Sequence, residues 1–84
     1  MTLVWNASAW EDYLYWQNTD TKIVKRINEL LRDIQRNGNV GMGKPELLKH
    51  GFQAYSSRRI THEHRLVYKI VGDEIRIAAC RYHY

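Results

Sequence analysis

The second half of the chain carries acidic, basic and imidazole side chains that suit one kind of chemistry. Glu46 is a carboxylate, Lys49 and Arg65 are cations, and the run 81–84 reads Arg-Tyr-His-Tyr. Together these groups can supply a general base, a stabiliser of developing negative charge and a general acid. They suit RNA cleavage in which the ribose 2′-OH attacks the adjacent phosphorus, a reaction that requires no metal. Arginine is well suited to the extra charge on the phosphorus because its donors form a planar fork.

Each of these residues also has a purely structural explanation that the sequence leaves open. Glu46 follows Pro45 and fits the first turn of a short helix. Arg65 fits a solvated or ion-paired strand residue, and the Arg-Arg pair at 58–59 fits a charged strand that resists pairing with other molecules. His83 stands beside the end of the sequence, where residues are usually frayed.

Three other features predict structure rather than chemistry. The run His-Glu-His at 62–64 is an unfavourable metal site because its two imidazoles are only two residues apart and the chain has no Cys pair. Trp10 and Tyr13 have helical spacing, which favours core positions over base stacking. Cys80 lies in an apolar run, where a free Cys usually behaves as a small hydrophobe.

Composition limits the chain to one domain, residues 1–84, with an open and shallow site. The net charge is +4, and eight of the 13 Lys and Arg residues lie from Lys44 onward with only four of the nine acidic residues, so an anionic partner is plausible. A single Cys favours the reducing cytoplasm. The sequence shows neither a signal-peptide pattern nor an apolar run of about 20 residues, which disfavours a membrane association.

The first half predicts one strand and two helices. Residues 3–5 are a short apolar run, followed by Asn6 or Ser8 as the cap of a first helix that fades at 18–20. Asp20 or Thr19 then caps a second helix, which ends at Asn-Gly, residues 37–38. The second helix has a clear apolar stripe, formed by Ile23, Val24, Ile27, Leu30, Leu31 and Ile34.

The second half predicts an antiparallel meander of three strands at 55–60, 65–71 and 75–80. Gly-Asp at 72–73 fits a type II′ hairpin turn between the last two strands. In the middle strand, Leu66, Tyr68 and Ile70 share the face toward the helices. Arg65 and Lys69 are therefore expected on the opposite face.

Four runs carry a family resemblance: Lys-Pro-Glu-Leu-Leu-Lys-His at 44–50, Ser-Arg-Arg-Ile-Thr at 57–61, Glu-His-Arg-Leu-Val-Tyr at 63–68 and Ala-Cys-Arg-Tyr-His-Tyr at 79–84. With Trp-Glu-Asp-Tyr-Leu-Tyr-Trp at 10–16, they make the chain resemble the YoeB toxins of the RelE/ParE superfamily from end to end. The segment from Phe52 to Ser56 departs from the pattern of that family. This departure concerns the shape of the loop and the preference for RNA sequence context rather than the chemistry.

The resemblance implies an α+β fold of the small RelE/ParE-like type, with an N-terminal strand and two helices packed on one face of a twisted antiparallel sheet. It further implies the toxin of a type II toxin-antitoxin system, a ribosome-dependent endoribonuclease that cuts mRNA in the ribosomal A site, between the 30S and 50S subunits. A YefM-like antitoxin, a homodimer and a cytoplasmic location are expected, without a cofactor or metal.

The resemblance also implies roles for individual residues. Those expected to be catalytic are the general base Glu46, the transition-state stabiliser Arg65, the general acid His83, and Tyr84, which orients RNA or the acid. Those expected to hold RNA are Lys44, Lys49, Arg58 and Arg59, with Lys49 at the phosphate. Two alternatives remain: a ParE-like inhibitor that binds DNA gyrase without chemistry, and a basic RNA-binding module that never cleaves.

Overall fold

The computed structural model describes residues 1–49 and 54–82. A strand and two helices come first: β1 (Thr2–Trp5), α1 (Ala7–Thr19) and α2 (Thr21–Asn37). Four strands follow: β2 (Glu46–Leu47), β3 (Ser56–Arg59), β4 (Arg65–Val71) and β5 (Glu74–Ala79). This α+β order, with an N-terminal strand and two helices ahead of the main sheet, is the predicted one.

The strands form a single five-stranded sheet in the order β1-β5-β4-β3-β2. The predicted meander is confirmed, since β3, β4 and β5 pair antiparallel in sequence. The sheet as a whole is mixed, because β1 pairs parallel with β5. The two-residue strand β2 was not predicted, and it contradicts the reading of Glu46 as a residue in the first turn of a helix.

Side-chain caps set the helix boundaries. The Asn6 side chain accepts a hydrogen bond of 2.7 Å from the Ala9 N–H, so Asn6 is the predicted cap of α1. Asp20 serves both helices: its own N–H donates to the Trp16 carbonyl at the end of α1, and its carboxylate accepts from the Lys22 N–H at the start of α2. Gly38, with a φ of +65°, terminates α2 as predicted.

The core lies between the helices and one sheet face. Buried residues of the predicted α2 stripe pack with those of the central strands, namely Ile27, Leu30, Leu31, Ile34, Leu66, Tyr68, Ile75 and Ile77. The expectation that Trp10 is a core residue is wrong, because this side chain is 44% exposed and lies against Trp5 and Tyr13 at the rim. Trp16 is buried instead, and its indole N–H donates to the Cys80 carbonyl at 2.8 Å.

The β4–β5 hairpin fixes which residues share a face. Gly72 has a φ of +57°, as the first central position of a type II′ turn requires, and Val71 pairs with Glu74 across the turn. Leu66, Tyr68 and Ile70 accordingly pack on the core. The opposite surface is called the outer face below; the pairing register places there Glu46, Ser57, Arg59, Arg65, Val67, Lys69 and Arg76.

Across the described ranges 1–49 and 54–82, neither helix combines the length and apolarity needed to cross a lipid bilayer.

Candidate functional site

Two arginines lie side by side on the outer face. Arg59 is the direct cross-strand partner of Arg65 in the antiparallel pair of β3 and β4. Like charges in such a position repel each other and destabilise a sheet. The pair concentrates positive charge at this end of the sheet, which is the charge that an anionic ligand such as RNA would need.

Glu46 lies close to this arginine pair. It is exposed and pairs with Ser57, which is two residues from Arg59 on the same face. With strands about 4.8 Å apart and a rise of about 3.3 Å per residue, the Cα atoms of Glu46 and Arg65 are roughly 12 Å apart. The two residues therefore lie on the same part of the outer face.

Small and apolar buried residues lie in the sheet between these charged side chains. Ser57, Val67 and Ala79 make one row across β3, β4 and β5, and each is at most 6% exposed. Glu46 stands at the β2 end of this row. Charged side chains of the outer face thus surround a row of buried residues with small or apolar side chains.

Arg65 is held in place by its own loop. Its Nη1 donates to the carbonyl oxygens of Thr61, His62 and His64 at 2.9, 3.0 and 3.2 Å. Within the described part of the chain, no hydrogen bond is made by its Nε or Nη2. These bonds anchor the guanidinium on its own loop and fix its orientation, which is the preorganisation that transition-state stabilisation requires.

The two lysines predicted to hold RNA flank Glu46 along the chain, and both are exposed. Lys44 follows Gly43, whose carbonyl accepts a 2.6 Å hydrogen bond from the Arg59 N–H. This bond ties the loop before Glu46 to the β3 end that carries the arginine pair. Lys49 comes just after β2, where the Leu48 N–H donates to the Tyr55 carbonyl.

Arg58 does not lie on this surface, which corrects the expectation that it is available to RNA. Its side chain is fully buried on the inner face, opposite Leu66. The guanidinium forms an ion pair with Asp33 and donates to three loop carbonyls, those of Gly38, Val40 and Met42. The hydrogen bond from Arg58 is the main cause that lowers the pKa of Asp33.

The chain returns to the same end of the sheet after β5. The Tyr82 carbonyl accepts a hydrogen bond of 2.7 Å from the Arg65 N–H, and the Tyr82 N–H donates to His64 Nδ1 at 2.8 Å. The segment that precedes the predicted general acid is therefore fixed beside Arg65. His83 and Tyr84 themselves lie outside the described residues.

The remaining candidates are the His-Glu-His run at 62–64 and Cys80. The described residues contain no cluster of three or more His, Cys, Asp or Glu that could hold a metal ion. Cys80 is fully buried, and burial, with a smaller effect from Asp12, raises the pKa of its thiol to about 12. The thiolate that a nucleophilic Cys needs is thus strongly disfavoured, as the apolar run indicated.

Sequence reasoning missed two contacts that position the tail. His64 was considered only as a metal ligand, whereas its ring accepts the Tyr82 N–H. Tyr15, on α1, lies under the guanidinium of Arg81 with 3.6 Å between Cζ and the ring centroid. Both contacts join segments far apart in sequence, so no local pattern could have indicated them.

Comparison with known proteins assigns the family. The model of the YoeB-like toxins of bacterial type II toxin-antitoxin systems matches residues 5–84. The chain belongs to this family. Among its YoeB relatives, the toxin YoeB of Escherichia coli K12 is 58% identical over 84 residues, which is 100% of both chains.

Solved structures of YoeB proteins have the same fold. A YoeB dimer from Staphylococcus aureus superposes with a TM-score of 0.95 at 53% identity, covering 100% of this chain and 98% of that one. The heterotetrameric YoeB-YefM toxin-antitoxin complex from the same organism gives a TM-score of 0.93 at 53% identity with the same coverage. The predicted RelE/ParE-like fold is thereby confirmed, and this YoeB-like chain is a toxin of a type II toxin-antitoxin system.

Proposed function

We propose that this toxin is a ribosome-dependent endoribonuclease that cuts mRNA in the ribosomal A site by acid–base chemistry. The observation that carries the proposal is the placement of Glu46, the Arg59–Arg65 pair and the Tyr82 anchor at one end of the outer face. Membership of the YoeB-like family supports it.

In the proposed reaction, Glu46 accepts the proton of the ribose 2′-OH, and the resulting oxygen attacks the adjacent phosphorus. Arg65 binds the non-bridging oxygens, whose negative charge grows in the transition state. The bond from phosphorus to the 5′ oxygen breaks, and His83 gives a proton to that leaving oxygen. The products are a 2′,3′-cyclic phosphate and a 5′-hydroxyl end, so all atoms and charges balance without a metal or cofactor.

The other predicted residues have supporting roles in this proposal. Tyr84 orients the RNA or the acid, while Lys44, Lys49 and Arg59 bind phosphates. Arg58 is assigned to holding the loop 38–43 instead of RNA. His83 follows the anchored Tyr82 directly in the sequence.

We also propose the partners of this toxin. By analogy with the two Staphylococcus aureus assemblies, a YefM-like antitoxin binds it and a second copy forms a homodimer. The site is open and its cations lie at the surface, which suits an extended RNA held by a large partner, the ribosome. Translated mRNA places this activity in the cytoplasm.

The test is cleavage of mRNA by the purified toxin with and without programmed ribosomes, which are kept in Mg²⁺ buffer; EDTA is added only to the arm without ribosomes. We expect ribosome-dependent cutting that yields cyclic phosphate ends. Glu46→Gln, which removes the base but keeps the size of the side chain, should lower the rate by about 10²-fold or more. Glu63→Gln, an exposed carboxylate change in the nearby loop, is the matched control and should cut like the wild type.

Two outcomes would contradict this assignment. Unchanged cutting by Glu46→Gln would remove Glu46 as the base. No cutting under any condition would favour the binding alternatives, and a DNA gyrase supercoiling assay would then separate a ParE-like inhibitor from a simple RNA-binding module.

A further inference from the structure

The segment formed by Arg81 and Tyr82, here called the tail anchor, holds an unusual backbone conformation. Tyr82 has a φ of +65°, a left-handed conformation that residues with side chains rarely adopt. Its own side chain does not enforce this conformation by burial, because it is 60% exposed. Contacts from the surrounding structure must therefore hold it.

Those contacts come from two sides. The backbone of Tyr82 makes two hydrogen bonds, one from the Arg65 N–H to its carbonyl and one from its N–H to His64 Nδ1. On the other side, the Arg81 guanidinium lies between the Tyr15 and Tyr82 rings, at 3.6 and 4.7 Å from their centroids. Only one of the two backbone bonds uses a side chain, that of His64.

His64 is fixed well enough to serve as a rigid acceptor. Its ring packs edge-on against the buried Trp16, with centroids 4.7 Å apart. Trp16 is itself tied to the Cys80 carbonyl by its indole N–H. The backbone of His64 is held by the turn at Thr61, whose hydroxyl accepts the His64 N–H at 3.1 Å.

The hydrogen bond to Tyr82 also fixes the chemical form of the imidazole. A backbone N–H can only donate to a nitrogen that has a free lone pair, so Nδ1 carries no proton and the ring proton is on Nε2. A doubly protonated imidazolium has no acceptor and would break this bond. The hydrogen bond from the Tyr82 N–H thus requires an acceptor atom at the position of Nδ1. Packing of the ring against Trp16 has no such requirement.

We propose that His64 is a positioning residue for the proposed ribonuclease reaction: its Nδ1 holds the Tyr82 N–H and thereby sets the backbone from which the general acid His83 continues. The inference rests on the proposed function for the identity of the acid. His64 does not touch the reacting atoms, and its effect on cleavage passes through Tyr82. A role in packing against Trp16 alone would predict no special need for the acceptor.

Two substitutions separate the acceptor from the packing. His64→Phe keeps a ring against Trp16 but removes the acceptor, whereas His64→Asn loses most of the ring but places an amide oxygen close to the position of Nδ1. His62→Ala, an exposed change in the same loop, is the control. Each variant is first checked for cooperative thermal unfolding.

Amide hydrogen exchange at Tyr82, followed by NMR, reports on the hydrogen bond to His64 independently of RNA cleavage. We expect His64→Phe to speed exchange at Tyr82 by about tenfold or more, and His64→Asn and His62→Ala to stay within about threefold of the wild type. In ribosome-dependent cleavage, His64→Phe should lower kcat by about tenfold with KM changed less than twofold, because the phosphate-binding cations are untouched. His64→Asn should recover most of kcat.

A measurement on the unmutated protein keeps the proposal testable even if a variant fails to fold. In protein labelled with ¹⁵N-histidine, the Nδ1 of His64 should have the chemical shift of an unprotonated acceptor at neutral pH. A protonated Nδ1, equal kcat values for His64→Phe and His64→Asn, or unchanged Tyr82 exchange in His64→Phe would each overturn the proposal. A wild type that shows the acceptor but cuts no RNA would overturn the proposed function and leave the His64–Tyr82 anchor supported.

Discussion

At the scale of single residues, Arg58 and Arg59 show how a shift of one residue along a strand changes the role of a side chain. Arg58 faces inward and satisfies three loop carbonyls, the Tyr68 hydroxyl oxygen and the Asp33 carboxylate. Arg59 faces outward beside Arg65 and is exposed. The same guanidinium thus stabilises the fold at one position and is available to an anion at the next.

Matched substitutions of these arginines should separate stability from activity. Arg58→Gln should lower the free energy of unfolding by about 3 kcal/mol, because it leaves three partly buried loop carbonyls and the Asp33 carboxylate without their donor. Arg59→Gln should change it by less than about 0.5 kcal/mol, as for most surface substitutions, but should weaken binding to RNA on the ribosome. Urea denaturation and a ribosome-binding assay measure the two effects. Equal losses of stability would contradict the burial of Arg58.

The ion pair between Arg58 and Asp33 is sensitive to pH, because it requires the ionised Asp33 carboxylate. Its pKa is lowered in the folded protein, chiefly by the Arg58 hydrogen bond, so the unfolded chain takes up the proton first as the pH falls. The stabilisation by Asp33 is complete above the ordinary carboxyl pKa of about 4 and is lost as the pH falls through the lowered value. The difference in unfolding free energy between the wild type and Asp33→Asn should therefore be constant near neutral pH and shrink as the pH falls below the ordinary carboxyl pKa of about 4.

Glu29→Gln is the control for this titration, since it neutralises an exposed carboxylate on the same helix. A constant difference between the wild type and Asp33→Asn down to the lowest pH would mean that the ion pair with Arg58 does not form in solution.

At the scale of elements, the loop 38–43 positions the short strand β2 and with it Glu46. Gly43 has a φ of +81°, and its carbonyl accepts from the Arg59 N–H. A Cβ at this position would lie 2.8 Å from Leu30 Cδ2 and 3.3 Å from the Arg59 carbonyl oxygen. A side chain at this position would therefore add left-handed strain and crowd Leu30 and the end of β3.

Gly43→Ala should therefore lower both stability and cleavage. We expect a loss of about 2 kcal/mol in the free energy of unfolding, from left-handed strain together with the contact to Leu30. Gly38→Ala is the control, because Gly38 has a similar φ of +65° but nothing lies within 4 Å of an added Cβ. This substitution should lower the free energy of unfolding by about 1 kcal/mol. Thermal unfolding of the two variants measures the difference, and equal losses of stability would show that the Leu30 contact relaxes freely.

The elements also show what sequence alone could predict. The apolar period of α2, the caps at Asn6 and Asp20, and the Gly72 turn are local signals, and each was confirmed. Alternation along β4 correctly placed Arg65 on the outer face. The run Ser-Ser-Arg-Arg of β3 has no hydrophobic member to mark its inner face, so the burial of Arg58 depended on its register with Leu66. The strand β2 and the tail anchor arise from contacts between distant segments, which no local pattern encodes.

At the scale of the whole molecule, the buried polar atoms of the interior are also hydrogen-bonded. Among the described residues, every fully buried side-chain nitrogen or oxygen atom has a hydrogen-bond partner. Cys80 sits where α1 meets the end of β5: its N–H donates to Asp12, and its thiol lies 3.6 Å from the Ala9 carbonyl. This thiol is therefore a probe of whether α1 and the sheet separate.

Alkylation of Cys80 by iodoacetamide should follow global unfolding. With a thiol pKa of about 12 and complete burial, the native protein at pH 8 should react about 10³-fold more slowly than the protein unfolded in urea. Mass spectrometry at increasing urea concentrations measures the reaction, and its midpoint should match that of the circular dichroism signal. Reaction well below that midpoint would indicate that α1 opens separately from the rest of the fold.

The position of β5 in the sheet has a consequence for the nascent chain. Although β1 is synthesised first, its neighbour in the sheet is β5, which is the last strand of the described chain. Until β5 has left the ribosome, the backbone of β1 has no strand to pair with, and Ile75 and Ile77 are missing from the core. The sheet therefore cannot reach its final strand order until β5 has been synthesised, although β1 is available from the start.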